Sequence, residues 1–183
     1  MASRPKEEGS ASRRTRVPPL VPPLYTIGYE GQSLDSFIGQ LQAAGVQQVA
    51  DVRQTPISRK PGFAKTPLST ALKEAGISYV HLRALGCPKG IRDRYRQERD
   101  WDRYTQDFLA HLGKQAASLD LLIESANQQQ TAVLCFETDF NRCHRTYVAR
   151  AAGHASGARV LHITAAGIFP DAPSPTSARV AAS

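Results

Sequence analysis

One stretch of the chain, residues 131–147, restricts the fold more than any other. It opens with an apolar run at 132–136, which is typical of a strand buried on both faces of a sheet. Polar residues follow, and an apolar spacing that includes Tyr147 and Val148 then predicts the inner face of a helix. A strand, a short loop and a helix in this order place the loop side chains at the carboxyl end of a strand, which is where open α/β sheets bind ligands.

The rest of the sequence alternates between strand and helix patterns. Strands are predicted at 24–28, 46–52, 77–82, 131–136 and 159–164, with helices between them. Such alternation favours an α/β fold, with a mostly parallel sheet and helices on both faces in a single domain. We assign this domain to residues 24–165, and composition predicts a disordered basic, proline-rich tail at 1–23 and a loose C-terminal tail at 166–183.

The balance of charge favours a polyanionic partner. The formal net charge of the 183 residues is +7. Five basic and two acidic residues in the first 17 positions contribute +3 of this, which leaves +4 on the remainder. Because positive charge attracts phosphate groups, we expect the partner to be a nucleic acid, and DNA in the first place. The sequence identifies no protein partner.

Composition also indicates the cellular compartment. No apolar run approaches the roughly 20 residues of a membrane helix, and the N-terminus lacks the apolar core of a signal peptide. Three cysteines are too few and too scattered for a disulfide framework. We therefore expect a cytoplasmic protein with reduced thiols and no membrane association.

A turn with two glycines follows the first predicted strand and contains Gly28, Tyr29, Glu30 and Gly31. Glycine lets the backbone approach a ligand closely, so Tyr29 and Glu30 are candidate substrate-binding residues. The spacing lacks the full G-x-G-x-x-G pattern, and we predict no dinucleotide site here.

The connection at 54–67, after the second strand, is long and cationic. Its residues Arg59, Lys60 and Lys65 suit contacts with a nucleic-acid backbone. In the same loop Phe63 offers a stacking face, and Ser58 is a further substrate-binding candidate. A solvated connection with proline and glycine turns is the alternative interpretation.

Residues 88–103 combine many arginines and acidic residues with aromatic side chains. This mixture is typical of a surface that binds single-stranded or flipped-out bases. It is equally typical of an exposed amphipathic helix with paired charges. Trp101, Tyr104 and Phe108 have helical spacing, so we assign them first to the core.

Two carboxylates are predicted to meet at the carboxyl edge of the sheet. Asp51 ends the second strand and Glu137 follows the fourth, and right-handed crossovers bring both loops to the same side. Two acids in one cleft can hold different pKa values and divide acid and base roles, so both are catalytic candidates. Arg53 and Arg145 then suit substrate phosphates. Alternatively, Asp51 pairs with Arg53, and Glu137 with Arg145.

The start of the last predicted helix contains Cys143, His144 and Arg145. The helix dipole favours a thiolate at Cys143, which makes it a substrate-binding or nucleophilic candidate. A small residue packed under the loop is the alternative. His144 is a catalytic candidate for proton transfer, and Arg145 beside it suits an anion. Cys135 and Cys143 are eight residues apart without a paired C-x-x-C, so no metal site is predicted.

Four segments of the sequence together resemble a known family. They are residues 25–31 (YTIGYEG), 51–53 (DVR) with the loop that follows, 135–137 (CFE) and 143–145 (CHR). In this order they are similar to the domain-of-unknown-function family numbered 488, and the likeness runs from about residue 25 to residue 164. The resemblance implies a compact α/β domain with these motifs around one cleft, and it connects the chain with the processing of nucleic-acid bases.

The first functional hypothesis is a DNA glycosylase that hydrolyses the N-glycosidic bond of a modified or damaged base. Tyr29 and Phe63 would stack the flipped base, while Asp51 or Glu137 would orient water and stabilise the oxocarbenium-like transition state. This chemistry requires no metal or organic cofactor. The alternatives are a cysteine-dependent enzyme in which Cys143 attacks a small substrate, and a non-catalytic nucleic-acid-binding module.

Overall fold

A computed structural model describes residues 21–172, which form one six-stranded sheet with six helices. The strands are β1 (Leu24–Gly28), β2 (Gln48–Asp51), β3 (Ser78–His81), β4 (Thr131–Cys135), β5 (Val160–Thr164) and β6 (Gly167–Pro170). The helices are α1 (Leu34–Ala43), α2 (Lys65–Glu74), α3 (Lys89–Glu98), α4 (Trp101–Leu112), α5 (Ala116–Gln128) and α6 (His144–Ser156). The predicted α/β fold in a single domain is confirmed.

The sheet has the strand order β3-β2-β4-β1-β5-β6. The first five strands in this order are parallel, and β6 pairs with β5 in the antiparallel sense. Every residue of the neighbouring strands β1 and β4 is buried. Burial on both faces explains why these central strands read as apolar runs in the sequence.

Two hydrophobic cores lie on opposite faces of the sheet. On one face, α1 and α2 pack Phe37 and Leu72 against the strands. On the other face, α4, α5 and α6 contribute Phe108, Leu122 and Val148. Alternate residues of each strand point to opposite faces, so one sheet supplies side chains to both cores and helices cover both sides as predicted.

Local capping fixes two of the helix starts. The Ser33 hydroxyl accepts a hydrogen bond from the Ser36 N–H at 3.1 Å, which begins α1. Asp100 accepts from the Arg103 N–H at 2.9 Å and begins α4. The break at Asp100 separates α3 from α4, so the charged segment at 88–103 is not one helix.

The C-terminal limit of the domain lies beyond the predicted residue 165. A two-residue turn leads into β6, where a loose tail was expected from composition. Asp171 then accepts two hydrogen bonds from Arg150, at 2.8 and 2.9 Å, and one from His162 at 3.0 Å. The expectation failed because strand pairing and this ion pair outweigh the weak propensity of an alanine- and proline-rich segment.

Two predictions about the ends of the chain lie outside the described residues. They are the tail at 1–23, apart from its last three residues, and the part of the C-terminal tail after residue 172. Within 21–172, no helix has both the length and the apolar content needed to cross a membrane.

Replacement of Gly28 tests how closely β1 approaches the loop after β4. A Cβ atom at Gly28 would overlap the carbonyl oxygen of Glu137, which is backbone and cannot rotate away. We expect Gly28→Ala to lower the free energy of unfolding by about 1–3 kcal/mol. Gly39→Ala is the matched control, because a Cβ there meets no atom within 4 Å. In the interior of α1, alanine stabilises the helix relative to glycine by up to about 1 kcal/mol. Equal unfolding midpoints for the two variants in urea would contradict the close approach.

Candidate active site

A cleft of about 780 Å³ lies at the carboxyl ends of β1, β2 and β4. The helices that follow β1 and β4 lie on opposite faces of the sheet, since α1 packs in one core and α6 in the other. Neighbouring parallel strands whose connections diverge in this way leave a crevice at their carboxyl ends, which is the usual ligand position in such sheets. The volume is in the range of clefts that bind small ligands.

The wall of the cleft is strongly cationic and rich in aromatic rings. Glu137 is the one carboxylate that lines it among the described residues. The cations that line it are Arg53, Arg59, Lys60, Arg92, Arg96, Arg99 and Arg142. The aromatic residues are Tyr29, Tyr95, Trp101, Tyr104 and Phe136. A single acid thus lies within a field of positive charge.

Glu137 belongs to a cluster of four chemically active side chains. Its Oε2 lies 2.9 Å from Sγ of Cys135 and 3.1 Å from Sγ of Cys143. Nδ1 of His144 lies 3.7 Å from Sγ of Cys135, and Nε2 lies 3.1 Å from the Val52 carbonyl oxygen. One ligand atom from each of the four residues lies within 4.8 Å of the others. Both of these thiol contacts are with Oε2, and no other residue within 21–172 donates a hydrogen bond to Oε1.

The close contacts force the cluster to share protons. Burial and the negative charge of Cys143 raise the pKa of the Glu137 carboxyl. Burial raises the pKa of the Cys135 thiol. Burial opposes ionisation of Cys143, but hydrogen bonding from Cys135 and the charges of Arg145 and His144 hold the pKa of its thiol well below the usual value. The pKa values of Cys143 and Glu137 are therefore linked, because ionisation of either group disfavours ionisation of the other.

Arg145 does not line the cleft, contrary to its predicted part in binding substrate. Its side chain is fully buried and donates to the backbone carbonyls of Glu137 and Thr138 and to the hydroxyl of Thr26. These bonds join the start of α6 to the loop after β4 and to β1. Arg145 therefore acts on the site indirectly. Its charge lowers the pKa of Cys143, and its hydrogen bonds fix the backbone of Glu137.

Asp51 is sealed beneath the cleft and does not line it. Its carboxylate accepts hydrogen bonds from Nε and Nη2 of Arg53 at 2.9 and 2.6 Å, and from the Tyr79 hydroxyl at 2.6 Å. Burial and the adjacent carboxylate raise the pKa of the Tyr79 hydroxyl, so it stays a donor. The predicted meeting of two acids in one cleft is therefore not found, and the alternative pairing of Asp51 with Arg53 is observed.

The aromatic ring available to a ligand is not the one predicted from the sequence. Phe63 is fully buried, and Tyr29 stacks on it with ring centroids 4.4 Å apart. Phe63 thus lacks the open stacking face that was expected, because its ring fills the core beside Phe37. Phe136 takes that position instead, since it lines the cleft, is 43% exposed and meets Tyr29 edge to face.

The other predicted loop residues divide between the cleft and its surroundings. Ser58, Arg59 and Lys60 line the cleft, and the Lys60 ammonium lies 3.4 Å from the Tyr29 carbonyl. Lys65 begins α2 and does not line it. Glu30 is exposed, and its carboxylate accepts from the Thr138 N–H at 3.1 Å, which fastens the two loops together.

Several cleft residues were not named individually as binding candidates from the sequence. Arg92, Arg96 and Arg99 extend along α3 and its C-terminal cap, and they lie beside Trp101 at the start of α4. Trp101 packs against the core and also lines the cleft, so both interpretations of this residue, as core and as binding surface, describe its position. The alternation of arginine with aromatic residues at 88–103 was the available signal for this wall.

The buried pair of Asp51 and Arg53 generates a stability prediction. Asp51→Asn leaves a guanidinium that is only 6% exposed without its counter-charge, so we expect the free energy of unfolding to fall by about 3–5 kcal/mol. Asp107→Asn removes one partner of a surface ion pair with Arg94 and should change it by less than about 1 kcal/mol. Urea unfolding of both variants measures the difference. Unchanged stability in Asp51→Asn would show that the buried pair does not stabilise the fold.

Comparison with known proteins agrees with the resemblance seen in the sequence. A search of curated proteins and a search of solved structures each found no match. A family described as "Domain of unknown function DUF488" matches residues 33–152. The match includes β2, the cationic loop, α3, β4, the cluster around Glu137 and most of α6, while the glycine turn after β1 lies outside it. The chain belongs to the DUF488 family.

Proposed function

We propose that the protein is a DNA glycosylase that hydrolyses the N-glycosidic bond of a modified or damaged base, with Glu137 as its catalytic carboxylate. The observation that carries this proposal is the cleft itself, in which one acid lies among seven cations and five aromatic residues. The three features correspond to the three parts of a nucleotide: the sugar, the phosphates and the base.

The cations support binding of a phosphate backbone. Arg59 and Arg99 form no ion pair within residues 21–172, and Nε of Arg92 has no hydrogen-bond partner there. By contrast, Arg94 on the same helix is paired with Asp107. Unpaired guanidinium groups around a concave surface attract anions and are well suited to phosphate oxygens.

The aromatic residues support recognition of an unstacked base. Phe136 is exposed beside Glu137, and Trp101 stacks on Tyr104 with centroids 4.8 Å apart on the wall formed by α4. An enzyme that acts at the glycosidic bond must take the nucleotide out of the duplex, at a cost of a few kcal/mol that stacking in the pocket offsets.

The surroundings of Glu137 support a role for it at the sugar. Oε2 is held by the two thiols, which leaves Oε1 as the oxygen that can meet a ligand. When Cys143 is a thiol that donates to Oε2, Glu137 is ionised, and its raised pKa makes this carboxylate a stronger base toward water. In the proposed reaction a water oxygen bonds to the anomeric carbon as the bond to the base nitrogen breaks. Ionised Glu137 takes one proton from that water and later releases it to solvent, while the departing base nitrogen takes a proton from solvent. The negative charge also stabilises the oxocarbenium-like transition state.

The cysteine-dependent alternative has less support from the geometry. Cys143, whose pKa is lowered, is 1% exposed and does not line the cleft. Cys135 does line it, but burial raises its pKa and keeps it a thiol. A nucleophile needs both ionisation and access to the substrate, and neither cysteine combines them.

Replacement of the acid tests the proposal directly. Purified wild-type protein is incubated with DNA duplexes that carry a panel of modified pyrimidines and purines, and free base is measured by chromatography. We expect Glu137→Gln to lower base release by at least about 100-fold, while DNA binding is kept because the cations are unchanged.

The matched control is Glu124→Gln, an exposed acid on α5 that does not line the cleft. This variant should release base at the wild-type rate. Absence of base release by wild-type protein from every duplex would overturn the glycosylase, and binding without release would favour the non-catalytic module. Full activity in Glu137→Gln would remove Glu137 from the chemistry.

Arg99 offers a test of backbone binding that does not rely on loss of stability. It caps α3 in the left-handed conformation with φ of 56°, which costs a residue other than glycine about 1–2 kcal/mol. We expect Arg99→Gly to leave the free energy of unfolding unchanged or to raise it by about 1 kcal/mol. It should nevertheless weaken DNA binding and reduce the dependence of log affinity on log salt concentration by about 1.

The control for Arg99 is Arg159→Gln, an exposed cation before β5 at the opposite end of the strands from the cleft. Its salt dependence should equal that of the wild type. Fluorescence anisotropy at several salt concentrations measures both variants, and an unchanged slope in Arg99→Gly would show that Arg99 meets no phosphate.

A further inference from the structure

The cluster at the floor of the cleft has the composition of a metal site. Two thiols, one imidazole and one carboxyl are ligand types that soft and borderline divalent ions take, and zinc binds all three. The loop between β4 and α6 brings the four residues together. Cys135 ends β4, Glu137 lies in the loop, and Cys143 and His144 lie at the start of α6. We infer that Cys135, Glu137, Cys143 and His144 form a binding site for one zinc ion. This inference goes beyond the proposed glycosylase, which needs no metal.

Three of the separations between the ligand atoms lie near the values of tetrahedral coordination. Zinc bond lengths of roughly 2.0–2.3 Å separate a sulfur ligand from a nitrogen ligand by about 3.6 Å. Sγ of Cys135 and Nδ1 of His144 are 3.7 Å apart. Oε2 of Glu137 lies closer to the two sulfurs, at 2.9 and 3.1 Å. Displacement of the carboxyl by about half an ångström from the sulfurs therefore opens the position for the ion.

The surroundings of His144 orient it as a ligand. Nε2 lies 3.1 Å from the Val52 carbonyl oxygen, which accepts a hydrogen bond and so requires the proton on Nε2. In the neutral imidazole this leaves the lone pair of Nδ1 on the side of Cys135. A histidine that donates its other N–H to a backbone carbonyl is the common arrangement behind a metal ligand.

The burial and charge of the cluster also favour an ion. Cys135, Cys143 and His144 are at most 5% exposed, and Glu137 is partly buried. On binding, any proton on a coordinating atom (a thiol, the carboxyl or Nδ1 of His144) is released to solvent. Two thiolates and one carboxylate then carry three negative charges around a divalent ion. The remaining negative charge faces the buried guanidinium of Arg145, whose attraction acts on Cys143. A group of titratable side chains buried without an ion is harder to satisfy.

The test uses the full chain after treatment with a chelator, and its probes are Zn²⁺ and Co²⁺. We expect one Co²⁺ per chain, with the absorption bands of thiolate-to-metal charge transfer and of tetrahedral geometry, and displacement of Co²⁺ by one Zn²⁺. Cys135→Ser and Cys143→Ser should each weaken Zn²⁺ binding by more than the 10- to 100-fold that loss of a supporting hydrogen bond costs. Cys87→Ser is the matched control, because Cys87 is also buried but lies outside the cluster, and its affinity should equal the wild-type value.

A second measurement needs no variant and stands if a serine substitution prevents folding. X-ray absorption of the zinc-loaded wild-type chain should give two sulfur neighbours at about 2.3 Å and two lighter ones. Absence of stoichiometric binding, a zinc neighbourhood without sulfur, or equal loss of affinity in Cys87→Ser would overturn the inference. These readouts do not depend on base release, so failure of the metal site and failure of the glycosylase are separate results.

Discussion

The buried guanidinium of Arg145 is the interaction on which the rest of the site depends. A fully buried cation is unfavourable unless its donors are satisfied, and here the carbonyls of Glu137 and Thr138 and the hydroxyl of Thr26 accept from it. Thr26 is bonded in turn to His162, which is bonded to Asp171 after β6. The network extends from the floor of the cleft to the edge of the sheet. The loop after β4 therefore derives its shape from the core, and the position of Glu137 is fixed before any ligand arrives.

The two acids that the sequence places at the same sheet edge have different environments for a simple reason. Asp51 lies at the end of β2 and within reach of Arg53 and Tyr79, so its oxygens are occupied by strong donors. Glu137 lies two residues past the end of β4, and its partners are thiols, which are weak donors. Strong donors stabilise a carboxylate as a structural ion, whereas weak donors and burial leave a carboxyl that can exchange its proton. The difference decides which acid is available for chemistry.

Much of the fold could be predicted from the sequence, because buried parallel strands and amphipathic helices leave clear periodic patterns. Tyr29, Arg53, Glu137 and His144, which follow three of the predicted strands, line one cleft. The sequence could not distinguish Phe63 from Phe136, since which ring faces the core depends on how the loops fold back. The meeting of Cys135 with Cys143 was missed because a loop, and not a short C-x-x-C turn, brings them together. The strand β6 escaped notice because its pairing is a tertiary effect that propensity does not record.

Glu137 joins two systems that differ in their chemistry. Its Oε2 belongs to a buried cluster of thiols and imidazole, while the rest of the carboxyl lines an open, cationic cleft. Any change in the charge of the cluster acts on the proton affinity of this one group, because the distances are about 3 Å and the local dielectric is low. A thiolate at Cys143 makes the carboxyl a stronger base, and a positive charge at the same place makes it a weaker one. The cluster thus sets the acidity of the only carboxyl that lines the cleft within residues 21–172, whether protons or an ion occupy it.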